Sequence, residues 1–302
     1  MSASGPAILG QKGVGMIELR HAGLTICAVL AIALASAERH AARGEEPAPA
    51  AAKPDACQRA AFRVVVDVGH TVDVPGADSA RGVPEYAFNL RLGEDVKGAL
   101  TAAGFAQAVL LVTATAPWRG LFERAQRANA MRADLFLSIH HDSVPDGLLH
   151  AWQYAGQDQQ FNDDYPGYAL FISRDNGDPA GSLMFGDLLG KELKARGLQY
   201  TPHYTLPLMG HRRRELVDAA AGVYRYDQLI VLRETRMPAV LLEAGSIVNR
   251  QEELQLASPQ RRALTSAAIV AAVDEFCASR AVAAMAKTAA PALKRVNLSA
   301  PH

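Results

Sequence analysis

Hydrophobic positions along the middle of the chain switch between two periods. Phe62–Val68, Ala108–Val112 and Leu135–His140 are short apolar runs with the length and β-branched content of buried strands. Between them the period is helical. Phe88, Leu92, Val96 and Leu100 recur every four residues after Pro84 and Glu85 and stop at Gly104, and Leu121–Arg132 predicts a second helix. Further on, Ala169–Ser173 predicts a strand, and Phe185, Leu188, Leu189 and Leu193 predict a helix ending at Gly197. Leu229–Leu232 and Ala239–Glu243 read as two more strands. Ser258 and Pro259 then supply the cap and first-turn proline of a last long helix. Strands alternating with helices predict an α/β fold, a single domain with a mostly parallel or mixed sheet and helices on both faces.

The two ends break this pattern. Residues 22–34 (AGLTICAVLAIAL) are uncharged, follow Arg20, and precede the small-x-small sequence Ala35-Ser36-Ala37. A helix of that length falls short of a hydrocarbon core about 30 Å thick. Residues 1–37 therefore read as a signal peptide, starting at Met1 or Met16, with export to the periplasm and no transmembrane anchor expected after cleavage. Residues 38–57 are rich in Ala, Pro and charge and read as a disordered linker, and 281–302 as a disordered tail. That leaves 58–280 as the folded domain. Of the three cysteines, Cys27 leaves with the signal, while Cys57 and Cys277 bracket the domain and are expected to pair in an oxidising compartment.

Composition narrows the classes that remain. The 302 residues are 49% hydrophobic and 21% charged, with 31 basic and 31 acidic residues and no net charge. Such a balance lacks the basic surplus of a nucleic-acid binder, and nothing in it suggests a collagen-like or disulfide-framework chain.

The chemistry sits at the strand ends. The first strand runs out in Asp67-Val68-Gly69-His70, the third in Ser138-Ile139-His140-His141, and the AVLLE strand in Glu243-Ala244-Gly245. In open α/β sheets the ligand crevice lies beyond the carboxyl ends of the strands, so these groups project toward one place, with Glu85 at the start of the first helix as a fourth candidate. Two histidines and a glutamate form a zinc-binding set that keeps one position open for water, and a further glutamate beside that water is the usual general base. Taken singly, each residue has a structural explanation. His70 fits a turn, Glu85 suits a positive helix N-terminus, and His140 and His141 could be a hydrogen-bonded pair. Glu243 is harder to explain this way, because an acid closing a run as apolar as AVLL needs a partner. Neighbouring side chains on a strand face opposite ways, so only one of His140 and His141 reaches a shared site.

From about Arg63 to Phe276 the chain resembles the zinc-dependent N-acetylmuramoyl-L-alanine amidases of the type that includes the bacterial cell-division amidases. Asp67-Val68-Gly69-His70 is similar to that family's Asp-Pro-Gly-His, and Gly76-Ala77 to its following Gly-Ala. Glu85, Asn89 and Leu90 resemble its Glu-x-x-x-Asn-Leu helix start, and Leu121, Arg124 and Asn129 its Leu-x-x-Arg-x-x-x-Ala-Asn helix. Residues 133–140 and 232–245 resemble its strand and catalytic segments. The resemblance implies one Zn2+ held by His70, Glu85 and His140, with Glu243 as the catalytic acid/base. It implies peptidoglycan as substrate, cut at the amide between N-acetylmuramic acid and L-alanine. Asp67 is expected either to orient a ligating histidine or to cap the turn after it, and Arg233 either to lie at the surface, the favoured reading, or to meet a substrate carboxylate. Val68 stands in place of a proline, His141-Asp142 in place of a small residue and Asn, and Ser246 in place of a Phe. Two rival readings are a zinc carboxypeptidase-type peptidase acting on stem peptides and a non-catalytic exported wall-binding protein. No HExxH is present, and peptidases of the first kind place two ligands on one short motif.

Residues 157–167 and 201–226 exceed what two strands and a helix require. In the second stretch HRRRELVDAAAG predicts a short helix, Arg212 to Ala221. Some cell-division amidases carry an insertion whose helix covers the site until a partner displaces it. The resemblance thus offers an activator protein with Glu215 as the autoinhibitory acid, against the alternative of a solvated surface helix whose Arg and Glu face water.

Overall fold

The computed structural model describes residues 57–114 and 117–296; the stretches read as a signal peptide and most of the linker lie outside them. Strand β1 (Val64–Val68) leads to helix α1 (Glu85–Ala102), then β2 (Val109–Leu111), α2 (Pro117–Ala130) and β3 (Leu135–Asp142). A hairpin of β4 (His150–Tyr154) and β5 (Gln157–Phe161) follows, then β6 (Ala169–Ile172) and α3 (Pro179–Ala195). The chain continues through β7 (Glu215–Asp218), β8 (Val223–Arg225), α4 (Ile230–Arg233), β9 (Ala239–Ser246), α5 (Glu252–Ala257) and α6 (Pro259–Val296). Seven strands form one sheet in the order β2-β1-β3-β9-β6-β8-β7, while β4 and β5 stand apart as a pair. β1, β2, β3 and β9 run parallel; β6 is antiparallel to β9, and β7 to β8.

Alternation along the strands builds two apolar layers. Val64, Val66, Leu135, Leu137, Val240 and Leu242 join α1, α3 and α6 in one core. Val65, Phe136, Ala239 and Leu241 join α2 and α4 in the other. Both sheet faces are covered, which is why these strands read as unbroken apolar runs. From β1 the chain moves one way to β2 and then back across to β3, so the sheet's topological switch point lies between β1 and β3. The loop after β1 and the end of β3 therefore flank the crevice.

Several elements depart from the sequence expectation. Leu229–Leu232 is not a strand; it lies largely in α4, with Ile230, Val231 and Leu232 buried. A short apolar run cannot by itself distinguish a buried strand from a buried turn of helix. The helix expected from Arg212 to Ala221 is absent, and β7 and β8 form a hairpin in its place. The Asp218 carboxylate accepts hydrogen bonds from the amides of Ala220 and Ala221, and Gly222 at φ 75° closes the turn. That side-chain competition with the helical ladder outweighs the propensity of three alanines. The pair β4 and β5 was not visible either, since the Gln157–Phe161 strand is almost wholly polar. Its turn, Ala155-Gly156, takes the two positive φ angles of a tight hairpin. Helix α6 has helical backbone to Val296, through much of the stretch read as a tail, in keeping with its alanine content.

Cys57 and Cys277, both 4% exposed, are disulfide-bonded across a sequence separation of 220 residues. In the chain-entropy account a loop of that length stabilises by about 5 kcal/mol, an upper figure. The double variant Cys57→Ala/Cys277→Ala is expected to unfold at markedly lower denaturant with its fold retained. An unchanged midpoint would show that the bond contributes nothing.

Candidate metal and catalytic site

Alternation decides which histidine faces the crevice. On β3, Phe136, Ser138 and His140 point to the α2 side, and on β9 Ala239, Leu241 and Glu243 do the same. His140 and Glu243 are register partners on adjacent parallel strands, so their side chains rise side by side at the sheet's carboxyl edge. His141 turns the other way, against α1. Its Nδ1 lies 2.7 Å from Asn89 Oδ1 and its ring packs on Phe88. Burial there pushes His141 down to about 3, against the opposing pull of Glu85, so it is a neutral structural group.

The remaining members come from the loop after β1 and the start of α1. Glu85 bridges both histidines: Oε2 is 2.9 Å from His70 Nε2, and Oε1 is 3.0 Å from His140 Nδ1. Asn89, one turn along α1, donates to Glu85 Oε1 at 3.0 Å and fixes the carboxylate. Burial alone would raise the Glu85 carboxyl, but the two histidines hold it below the ordinary carboxylate range. Two glycines make room. A Cβ on Gly69 would stand 2.3 Å from the His140 ring, and one on Gly76, at φ +86°, would stand 2.4 Å from Glu85 Oε2. His70 itself sits at φ 65°, an uncommon conformation for a residue with a side chain.

Asp67 holds that loop indirectly. It is fully buried, accepts from Ser138 Oγ at 2.8 Å, and pairs with Arg124 of α2 at 3.2 Å. Arg124 in turn donates to the carbonyls of Val68 and His70. Asp67 thus acts on the backbone of His70 through Arg124 and makes no contact with an imidazole. Burial raises the Asp67 carboxyl even so, with Arg124 opposing. Arg124→Met leaves that carboxylate buried without its counter-charge, held only by the Ser138 hydroxyl. The variant is expected to lose about 3 kcal/mol of stability in chemical denaturation, and Asp67→Asn added to it should recover part of the loss. Stability unchanged in the single variant would rule out the clamp.

His70, Glu85 and His140 each offer a ligand atom, all within 4.8 Å of one another. Two nitrogens and a carboxylate oxygen make a donor set suited to zinc. Beside them Glu243 has an Oε2 that is buried and without a hydrogen-bond partner. Burial, then the carboxylates of Asp142 and Glu85, raise the Glu243 carboxyl well above its usual range, while Arg212 pulls it down. A buried acid oxygen without a hydrogen-bond partner beside an N,N,O cluster is what a water-activating metal site requires. All four residues line one cavity of about 340 Å3.

Two expected residues lie elsewhere. Arg233 is on α4 and pairs with its neighbour Glu234 at 3.0 Å, away from this cavity. Glu215 is on strand β7, exposed, and paired with Arg174 and Arg225 at 3.2 Å. It does not reach the cluster, because the segment is a strand that turns its acid toward solvent arginines. Sequence reasoning missed other lining groups. Tyr204 donates its hydroxyl to Asp142 Oδ1 at 2.7 Å, and Arg212 and Arg214 form part of the wall. They come from irregular chain with no periodicity to mark them; only the density of arginine in HRRR was visible.

Residues 64–275 match the family described as N-acetylmuramoyl-L-alanine amidase, and the chain belongs to that family. An endolysin of Bacillus phage SPP1 is 31% identical over 190 residues, which is 63% of this chain and 56% of the endolysin. An N-acetylmuramoyl-L-alanine amidase of Mycobacterium tuberculosis is 25% identical over 206 residues, 68% of this chain and 73% of that one. Among solved structures, the amidase Ami1 from Mycobacterium smegmatis superposes with a TM-score of 0.57 at 20% identity. That likeness covers 72% of this chain and 98% of Ami1. The shared architecture is the mixed α/β sheet described above.

Proposed function

We propose that the protein is a zinc-dependent peptidoglycan hydrolase that cleaves the amide between the lactyl group of N-acetylmuramic acid and L-alanine. The observation that carries this reading is the unpartnered Glu243 Oε2 beside the His70, Glu85 and His140 cluster. His70, Glu85 and His140 would hold the metal. Bound zinc supplies Lewis-acid polarisation of the scissile carbonyl and lowers the pKa of water toward about 7. Glu243, on the rung beside His140, takes the proton from the attacking water. As the new C–O bond forms and the C–N bond breaks, Glu243 returns that proton to the alanine nitrogen. The products are a lactyl carboxylate on the sugar and a stem peptide with a free amino end. The register of β3 and β9 sets the base Glu243 beside His140.

Export to the periplasm belongs to the same reading, supported by the apolar segment at residues 22–34 and by the Cys57–Cys277 bond. No helix of the described residues is long and apolar enough to cross a membrane.

Metal removal tests the zinc dependence. Dialysis of the purified protein against a strong chelator is expected to abolish dye release from labelled peptidoglycan, and one equivalent of Zn2+ to restore it. Full activity in a metal-free preparation would defeat the proposal.

A further inference from the structure

An acidic pocket and an arginine-rich pocket of mixed charge flank the central cavity. On one side, sharing Ala77 and Ser143 with it, lies a cavity of about 510 Å3 whose walls include Asp78, Asp146, Asp158, Gln159 and Gln160. On the other, sharing Arg214 and Tyr226, lies a cavity of about 460 Å3 bordered by His211, Arg213 and Arg225, with Glu215 and Asp227 also in its wall and both engaged by Arg225. Basic groups continue from this second pocket into the centre. Arg212 lines the central cavity together with Glu243. The Arg214 guanidinium carbon lies 3.6 Å from the Tyr226 ring centroid; its Nη1 donates to the carbonyls of His211 and Arg213, while its buried Nε has no partner. Among the described residues, the Arg212 and Arg213 side chains make no hydrogen bond and no ion pair, unlike the neighbouring Arg225, which is tied to Glu215 and Asp227.

Arg212 acts on Asp142 and Glu243 through space without bonding to either, so this half-buried guanidinium keeps its donors for an anion that arrives with the substrate. The two halves of the substrate differ in that respect. The N-acetylated glycan carries no free carboxylate at the scissile muramic acid, because its lactyl carboxyl is tied up in the amide. The stem peptide carries several. Carboxylates would be repelled by the acidic pocket and attracted to the basic one.

We propose that Arg212, extended by Arg213 and Arg214, binds a free carboxylate of the stem peptide, so that the leaving peptide lies along the arginine wall and the glycan along the β4–β5 side. This inference rests on the amidase reading and sets the orientation and peptide preference of that site. Arg212 contacts substrate away from the reacting bond, and its removal should act on KM more than on kcat.

The test uses the zinc-loaded protein and two soluble muramoyl peptides, one with its stem carboxylates free and one with them converted to primary amides. Wild type is expected to favour the free-carboxylate substrate by about tenfold or more in kcat/KM, the span of a charge-assisted hydrogen bond. Its KM for that substrate alone should rise with salt. Arg212→Gln should collapse the preference toward one, mainly by raising KM for the free-carboxylate substrate, and Arg212→Lys should restore part of it. Should Arg212→Gln fail to fold, the salt dependence in wild type decides. Equal cleavage of both substrates by wild type overturns the proposal. So does an Arg212→Gln variant that keeps the preference while its pH profile shifts on both substrates, since Arg212 would then act by tuning Glu243. Cleavage of neither substrate by wild type would sink the amidase reading itself, a distinguishable result.

Discussion

Glu243→Gln is expected to lower peptidoglycan hydrolysis on the order of 10³-fold or more while leaving the fold and zinc content unchanged. The substitution keeps the shape of the side chain and removes its capacity to take a proton. It should also not harm the fold. Glu243 is a half-buried acid whose Oε2 has no partner, and its carboxyl is raised by burial and by Asp142 and Glu85. Replacing it with a neutral amide removes a repulsion inside the cavity, so the variant should be at least as stable as wild type. Circular dichroism, metal analysis and the rate of dye release together check this. A variant that retains zinc and cleaves near the wild-type rate would assign the proton transfer to another group.

His70→Ala should act in the other order, losing the metal first and activity as a consequence. On the proposed reading His70 offers one of three ligand atoms, and two ligands hold zinc poorly. The bound metal is expected to fall from one equivalent to near zero after gel filtration, with hydrolysis falling in proportion. The fold should survive. The His70 side chain is 29% exposed, the loop carrying it is fastened through its backbone by Arg124, and the domain ends are joined by the disulfide. The contrast between the variants separates a ligand from a base: one loses metal and rate together, the other rate alone. His70→Ala protein that keeps a full equivalent of zinc would remove His70 from the ligand set.

The legible part of this molecule was the part whose residues carry a period. Buried parallel strands read as apolar runs because both faces are covered, and α1 read as a helix because Phe88, Leu92, Val96 and Leu100 share one stripe. The His70, Glu85, His140 and Glu243 set was legible for a topological reason, since parallel strands deliver their carboxyl ends to one edge. Where local preference competes with a specific contact, the pattern misled. The alanines at 219–221 favour a helix, yet the Asp218 side chain ties their amides into a turn. Glu215 consequently lies on a strand facing Arg174 and Arg225 instead of over the His70, Glu85 and His140 cluster. Asp67 reads from its position either as orienting a histidine or as capping the turn, whereas its charged partner is an arginine 57 residues away that no spacing rule indicates. Tyr204, Arg212 and Arg214 reach the cavity from irregular chain, where neighbours in sequence say little about neighbours in space.

The account turns on which bond is cut, and mass spectrometry of purified peptidoglycan digested with the zinc-loaded protein reads it directly. The expected products are intact stem peptides with a free N-terminal L-alanine and glycan strands bearing unsubstituted lactyl groups. Shortened stems still attached to the glycan would identify a peptidase, and a digest with no products from protein holding a full equivalent of zinc would contradict hydrolysis altogether.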